Sequence, residues 1–199
     1  FYMTMSARAR WHRPPPAAPP SARHRHQQYA PPAGLPAGCL AIYTAGDGDA
    51  RQKGKPPPPA GAGVIVTTTR PERGLFSICE CVALGRTAHI KTVTENLAHL
   101  VAFARACEWA LRAPEARGRA VLLRYVNEYA ANVATGLWKP RKHRPMAAAA
   151  QRAFNALRKQ TGGAVWLQHA PIAHPWASAA QGLAARGKAG ENSQVLDAS

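Results

Sequence analysis

Acidic residues are scarce in this chain. Ten Asp and Glu stand against 26 Lys and Arg in 199 residues, a formal charge of +16. None of the ten precedes Asp47. Such an imbalance points to a polyanion as partner, most simply nucleic acid. Cysteine is also sparse: Cys39, Cys79, Cys81 and Cys107 do not make a disulfide scaffold. No run approaches the roughly 18 apolar residues that a membrane-spanning helix needs, so no membrane partner is expected. Phosphate-cradling and nucleophile motifs are missing too. Gly46-x-Gly48 lacks the Lys-Ser/Thr of a nucleotide loop, and no Gly-x-Ser-x-Gly elbow occurs. Accordingly no cofactor and no small-molecule substrate is expected. No repeat of fixed period is visible.

What is present is enough apolar material for a core, 46% of the residues. Proline and positive charge are distributed unevenly. Residues 1–46 hold Arg8, Arg10, Arg13, Arg23 and Arg25 and 8 of the 18 prolines. That composition favours extended backbone over a folded unit, and it suits a basic arm lying on RNA. An Arg-rich, acid-free beginning also has the character of an organelle targeting region. A second proline run, Pro56 to Pro59, reads as a surface loop. The expected organisation is a Pro/Arg-rich extension at 1–38, a compact domain at 39–188 and a loose polar tail at 189–199.

Within the compact part, Leu40 to Thr44, Gly63 to Thr69 and Leu75 to Leu84 read as three strands of an antiparallel meander. The period then changes. Leu97, Leu100, Val101, Ala104 and Leu111 recur at helical spacing, with Thr94 as N-cap and Pro114 as stop. Val121 to Val126 reads as a fourth strand, polar only at Arg124, and Glu128 to Thr135 as a short helix. Pro145 opens a further helix that ends near Gly162-Gly163. Ala164 to Leu167 reads as a fifth strand and Trp176 to Arg186 as a last helix. The order β-β-β-α-β-α-α-β-α predicts an α/β fold, a mixed five-stranded sheet of an antiparallel meander plus two parallel strands, flanked by helices.

Several local motifs in that order resemble ribonuclease H. Tyr43-Thr44-Ala45-Gly46 resembles the family's Tyr-Thr-Asp-Gly, and Gly61-Ala62-Gly63-Val64 the Gly-rich entry to its second strand. Thr94-Glu95-Asn96-Leu97-Ala98-His99-Leu100 resembles Thr-Asn-Asn-Arg-Ala-Glu-Leu at the start of its first helix. Tyr125-Val126-Asn127-Glu128-Tyr129 resembles Tyr-Thr-Asp-Ser-x-Tyr. Val165-Trp166, His169, His174 and Ala180-Gln181-Gly182-Leu183-Ala184 resemble the last strand, histidine loop and Ala-Asp-x-Leu-Ala helix. The resemblance spans about residues 40–188 and implies the ribonuclease H-like fold.

That family's chemistry uses four carboxylates to hold two divalent cations. The resemblance puts Ala45, His99, Val126 and Gln181 at those positions, so the expectation is a degenerate site with no catalytic residue and no metal. Asp47, Asp49, Glu95 and Glu128 lie nearby in sequence and read as surface acids. Cys79-x-Cys81 puts two thiols on one strand face, but no second pair follows at zinc spacing, and buried apolar thiols are expected.

Basic loops supply the candidate RNA contacts. Trp138-Lys139-Pro140-Arg141-Lys142-His143-Arg144-Pro145 carries four positive charges in eight residues. Arg51, Lys53 and Lys55 form a second cluster. Together with the five arginines of the arm they make the expected RNA-binding set. The expected function is that of a catalytically inactive ribonuclease H-like protein. It acts as a structural component of a large ribonucleoprotein, with the mitochondrial ribosome in the matrix as the preferred assembly and ribosomal RNA and neighbouring proteins as partners. Two rivals remain at this stage: an active RNA–DNA hybrid nuclease with displaced ligands, and a degenerate interaction module of a retroelement or splicing-type scaffold.

Overall fold

The computed structural model describes residues 28–49, 58–69, 71–83 and 93–196. Among them the chain runs β1 (Leu40–Gly48), β2 (Ala60–Thr68), β3 (Gly74–Val82), α1 (Glu95–Arg112), β4 (Val121–Tyr125), α2 (Glu128–Ala134), α3 (Arg144–Gln160), β5 (Val165–His169), α4 (Pro175–Lys188) and β6 (Ser193–Leu196). One sheet holds all the described strands in the order β5-β4-β1-β2-β3-β6. Strands β1, β2, β3 and β6 pair antiparallel in turn, whereas β4 lies parallel to both β1 and β5. The fold class is the expected one, with two differences at the ends.

The first difference is the sixth strand. Ser193–Leu196, in the segment expected to be a loose tail, pairs with Phe76 to Cys79 of β3. Four residues long and paired on one side only, it is an edge strand, held by backbone partners. The Asn192 carboxamide oxygen accepts from the Cys81 amide at 3.0 Å and fixes the approach. The second difference is at the other end. Tyr29, inside the expected extension, is buried and meets Phe154 edge-on at 5.4 Å. Its carbonyl accepts from the Leu167 amide at 2.7 Å, so the chain is tied to β5 ahead of the first strand.

Strand β1 is central and covered on both faces, which explains its apolar character. Alternation sends Leu40 and Ile42 into the layer under α1 and α3, with Leu97, Leu100, Phe103 and Phe154. Ala41, Tyr43 and Ala45 face α4, with Ala177, Ala180 and Ala184. A fully buried Phe or Leu in the first layer contributes about 1.5–3 kcal/mol. Helix α1 begins where Thr94 Oγ1 accepts from the Leu97 amide at 3.2 Å. It is clamped to β3 by Arg105, whose Nε and Nη2 donate to the two Glu80 carboxylate oxygens at 2.6 and 2.8 Å.

Glycine decides how close the layers come. The sequence suggests that β1 stops at Gly46, but the strand continues through Gly48. A Cβ at Gly46 would stand 2.4 Å from the His99 amide nitrogen, so α1 rests directly on the strand backbone. On the other face, a Cβ at Gly61 would lie 1.8 Å from the Ala184 carbonyl oxygen, and one at Gly63 would lie 2.0 Å from that of Ala180. Helix α4 is therefore seated backbone to backbone on β2. Gly63→Ala is expected to lower unfolding stability by roughly 1–3 kcal/mol through overpacking. Gly182→Ala, which meets nothing within 4 Å, should be neutral or gain up to about 1 kcal/mol of helix propensity. Urea unfolding of the two variants checks this; equal midpoints would contradict the close seat.

Candidate nucleic-acid interface

The two glycine seats bring the carboxyl end of β1 against α1 on one side and α4 on the other. Ala45 lies in β1 and is fully buried, and Val126 follows β4 and packs with the same small cluster. Gln181 on α4 donates from Nε2 to the Gly46 carbonyl at 3.2 Å. His99 on α1, only 4% exposed, lies where Gly46 abuts the helix. The four positions picked from the sequence thus come together in space. None of them carries a carboxylate. Ala45 and Val126 offer no ligand atom, His99 offers only a ring nitrogen, and Gln181 offers one uncharged amide oxygen. This set does not fit a pair of hard divalent cations, which call for several oxygen ligands, carboxylates among them.

Two of the nearby acids are turned onto a cation. Lys188 Nζ lies 2.6 Å from Asp49 Oδ1 and 3.6 Å from Asp47 Oδ1. Glu95 Oε1 lies 3.6 Å from His99 Nε2 one turn along α1. Glu128 starts α2, next to its N-cap Asn127. Among the described residues no three His, Cys, Asp or Glu side chains are grouped to hold a metal ion. Cys79 and Cys81 are buried free thiols, and burial raises the Cys79 pKa.

The basic loop between α2 and α3 is held at both ends. Trp138 is 40% exposed and its ring centroid lies 6.5 Å from that of Tyr129. His143 adopts a left-handed conformation, φ 55°, which a non-glycine residue takes at some cost. Its Nε2 lies 3.0 Å from Thr94 Oγ1. That contact pins the loop to the first turn of α1, beside the four converging positions. Burial, with Lys142 adding to it, lowers the His143 pKa and favours the neutral ring. Lys139, Arg141, Lys142 and Arg144 are all exposed. No carboxylate among the described residues pairs with them, so their charge is available to a phosphate backbone.

The remaining predicted RNA contacts, Arg8, Arg10, Arg13, Arg23, Arg25, Arg51, Lys53 and Lys55, lie outside the described residues. The structure adds cations that a reading confined to the loop passes over. Arg152 and Lys159 are exposed along α3, which continues directly from the loop. Arg124, which in sequence only interrupts an apolar strand, stands in a polar cluster with Tyr43 and His174. Its partners come from β1 and from the turn before α4, so no local pattern could show the cluster.

No family model matches the sequence, and no curated protein matches it. Solved structures do match. A ribonuclease H1 isolated from compost by a metagenomic approach superposes with TM-score 0.57 at 19% identity, covering 77% of this chain and 97% of that one. The N-terminal ribonuclease H domain of a Mycobacterium tuberculosis protein gives 0.56 at 19%, covering 76% and 94%. A foamy viral protease–reverse transcriptase in complex with an RNA/DNA hybrid gives 0.58 at 19%, covering 80% of this chain and 21% of that larger one. The compost enzyme has also been solved with an RNA/DNA hybrid, at TM-score 0.53 and 22% identity over 76% of this chain and 97% of that one. The chain therefore has the ribonuclease H-like fold.

Burial holds the His99 pKa below its ordinary value of 6.5, although the carboxylates of Glu95 and Asp47 pull the other way. The unfolded chain binds the proton more tightly than the folded one. The stabilising contribution of the neutral ring is therefore complete above about pH 6.5 and declines as pH falls below it. Chemical unfolding between about pH 7 and about pH 5 should show a fall in stability that is smaller in His99→Asn. An identical pH slope in both proteins would contradict the assignment.

Proposed function

We propose that this protein binds nucleic acid through a ribonuclease H-like domain without cleaving it. The observation that carries this reading is the meeting of Ala45, His99, Val126 and Gln181, none of them a carboxylate, at one place beside an exposed basic loop. Phosphoryl-transfer chemistry of the two-metal kind depends on paired cations to stabilise the attacking and leaving oxygens. The sequence resemblance aligns these residues with the cation-holding carboxylates. Their replacement removes the ligands, and Lys188 pairs with Asp49 and lies 3.6 Å from Asp47, the two acids nearest the end of β1. What persists is the cationic surface. Structural neighbours held with RNA/DNA hybrids support nucleic acid as the ligand of this fold.

On this reading the chain is a pseudo-enzyme used as a structural part of a ribonucleoprotein. The net charge of +16 and the acid-free first 46 residues favour a large RNA-rich assembly. The targeting-like character of that segment favours the mitochondrial ribosome, in the matrix, with ribosomal RNA and adjoining proteins as partners. Binding then draws mainly on counterion release from phosphates, with little reading of base sequence.

Three measurements test the reading. The native protein should sediment with ribosomal subunits from an organelle lysate and leave that fraction after ribonuclease treatment; a free protein of about 21 kDa at the top of the gradient would refute the ribosomal assignment. Purified protein should leave a labelled RNA–DNA hybrid uncut in Mg²⁺ and in Mn²⁺. Cleavage lost on Glu95→Gln or Asp47→Asn would instead establish a working nuclease with displaced ligands. The combined change Arg141→Glu, Lys142→Glu and Arg144→Glu should weaken RNA binding and flatten its log–log salt slope by roughly one per phosphate contact removed. Binding that keeps its strength and its salt dependence would point to a protein-interaction module.

A further inference from the structure

Helix α1 packs on β1 and β2. Beside it, the outer strands β3 and β6 form the floor of a cleft of about 930 Å³. Alternation in β3 puts Phe76 and Ile78 on that floor, on the α1 side of the sheet. Gln194, opposite Ile78 in the register, carries the floor onto β6. The wall is one stripe of α1: Arg105, Glu108, Trp109 and Arg112. Their i, i+3, i+4, i+7 spacing places them on one helical face, about two turns long. Trp109 stacks on Phe76, with ring centroids 5.4 Å apart and planes 22° from parallel. Beyond α1 the cleft ends at Glu115, in the short 3₁₀ turn Pro114–Ala116.

The charge of this cleft is opposite to that of the chain. Three of the ten acidic residues, Glu80, Glu108 and Glu115, line it, against two of the 26 basic ones, Arg105 and Arg112. Arg105 is spent. Its Nε and Nη2 hold Glu80, and its Nη1 donates to Glu108 Oε2 at 2.8 Å. One guanidinium thus serves two carboxylates. Glu115 is exposed, and its carboxylate pairs with no described residue. Three carboxylates against two guanidiniums leave the cleft negative by one, in a chain of +16. A phosphate backbone is not drawn to such a place. An apolar floor, an aromatic wall and a carboxylate rim instead suit a protein segment that is apolar along one side and cationic at its borders. The layering of the fold favours a helix there, because a second helix packs beside a first at about 8–10 Å between axes.

We propose that this cleft receives a basic amphipathic helix of an adjoining protein. The apolar stripe of that helix lies on Phe76, Ile78 and the accessible part of Trp109, and its Lys or Arg side chains reach Glu108 and Glu115. Charge then sorts the partners: RNA is drawn to the α2–α3 loop, and a cationic protein segment to the β3–β6 side. The inference rests on the reading of the chain as part of an assembly only for where that protein comes from.

The test titrates the full chain with a synthetic leucine–lysine helix, apolar at i, i+3, i+4 and i+7, at constant ionic strength. The ¹⁵N NMR signal of the Trp109 indole should move saturably. Glu115→Lys and Gln194→Lys, both at exposed positions that leave the fold intact, should each weaken the apparent affinity roughly fivefold. A leucine–glutamate helix of the same pattern should leave the Trp109 signal in place. No saturable shift with the lysine helix, an affinity unchanged in both variants, or an equal shift with the glutamate helix would overturn the site. In the native assembly, carbodiimide should join Glu108 or Glu115 to a lysine within an amphipathic helical segment of another protein. A link to a lysine of this same chain, or of a second copy, would overturn the choice of partner. A chain recovered free of any assembly refutes the assembly reading, while the peptide titration still decides the cleft.

Discussion

Backbone-to-backbone contact at glycine is the constraint on which this structure depends. Gly46 lets α1 lie on β1, and Gly61 and Gly63 let α4 lie on β2. Gly187 extends the same seat, since a Cβ there would stand 2.4 Å from the Glu80 carbonyl oxygen. The helix answers with alanine at 177, 180 and 184, all buried. With so little side chain between the layers, the position of α4 is set by backbone geometry. Gln181 then reaches the Gly46 carbonyl, and His174 is delivered to Arg124. Close-packed interiors transmit displacement, so side chains at this end of the sheet have little freedom to rearrange.

The charge distribution follows a consistent rule. Three of the acids near the four converging positions have a basic neighbour: Asp47 and Asp49 share Lys188, and Glu95 faces His99. Elsewhere, Glu80 and Glu108 are held by Arg105. The exposed cations of the α2–α3 loop have no such acids. A chain with 26 basic and ten acidic residues must leave most of its positive charge unpaired, and the fold gathers part of that surplus in one loop anchored by His143 to Thr94. The surplus is a property of composition; its placement is a property of the fold.

Much of the architecture was legible because period and punctuation agree. Leu97, Leu100 and Ala104 mark α1, Thr94 caps it, and Pro114 ends it, as local chemistry requires. The four positions Ala45, His99, Val126 and Gln181 were legible through motif order alone, and they do meet. Other features were hidden for a physical reason. Gly46 and Gly48 mark an end to β1 after Thr44 because glycine ordinarily weakens strands, yet at Gly46 the missing side chain admits the helix. Strand β6 is only four residues long, and the open edge of β3 makes it a strand. Tyr29 lay within proline-rich sequence, and its partners Phe154 and Leu167 are more than a hundred residues away.

The sequence by itself determined the surplus of positive charge, the order of the elements from β1 to α4 and the absence of carboxylates at the motif positions. Those are facts of composition and of spacing within a few turns of chain. Only the tertiary structure decided that Lys188 closes on Asp47 and Asp49, that the basic loop is pinned beside α1, and that Arg124 meets Tyr43 and His174. Each of these joins residues 49 to 141 positions apart. Such contacts arise from how the sheet is ordered and how closely its helices are seated, and no local pattern along the chain encodes them.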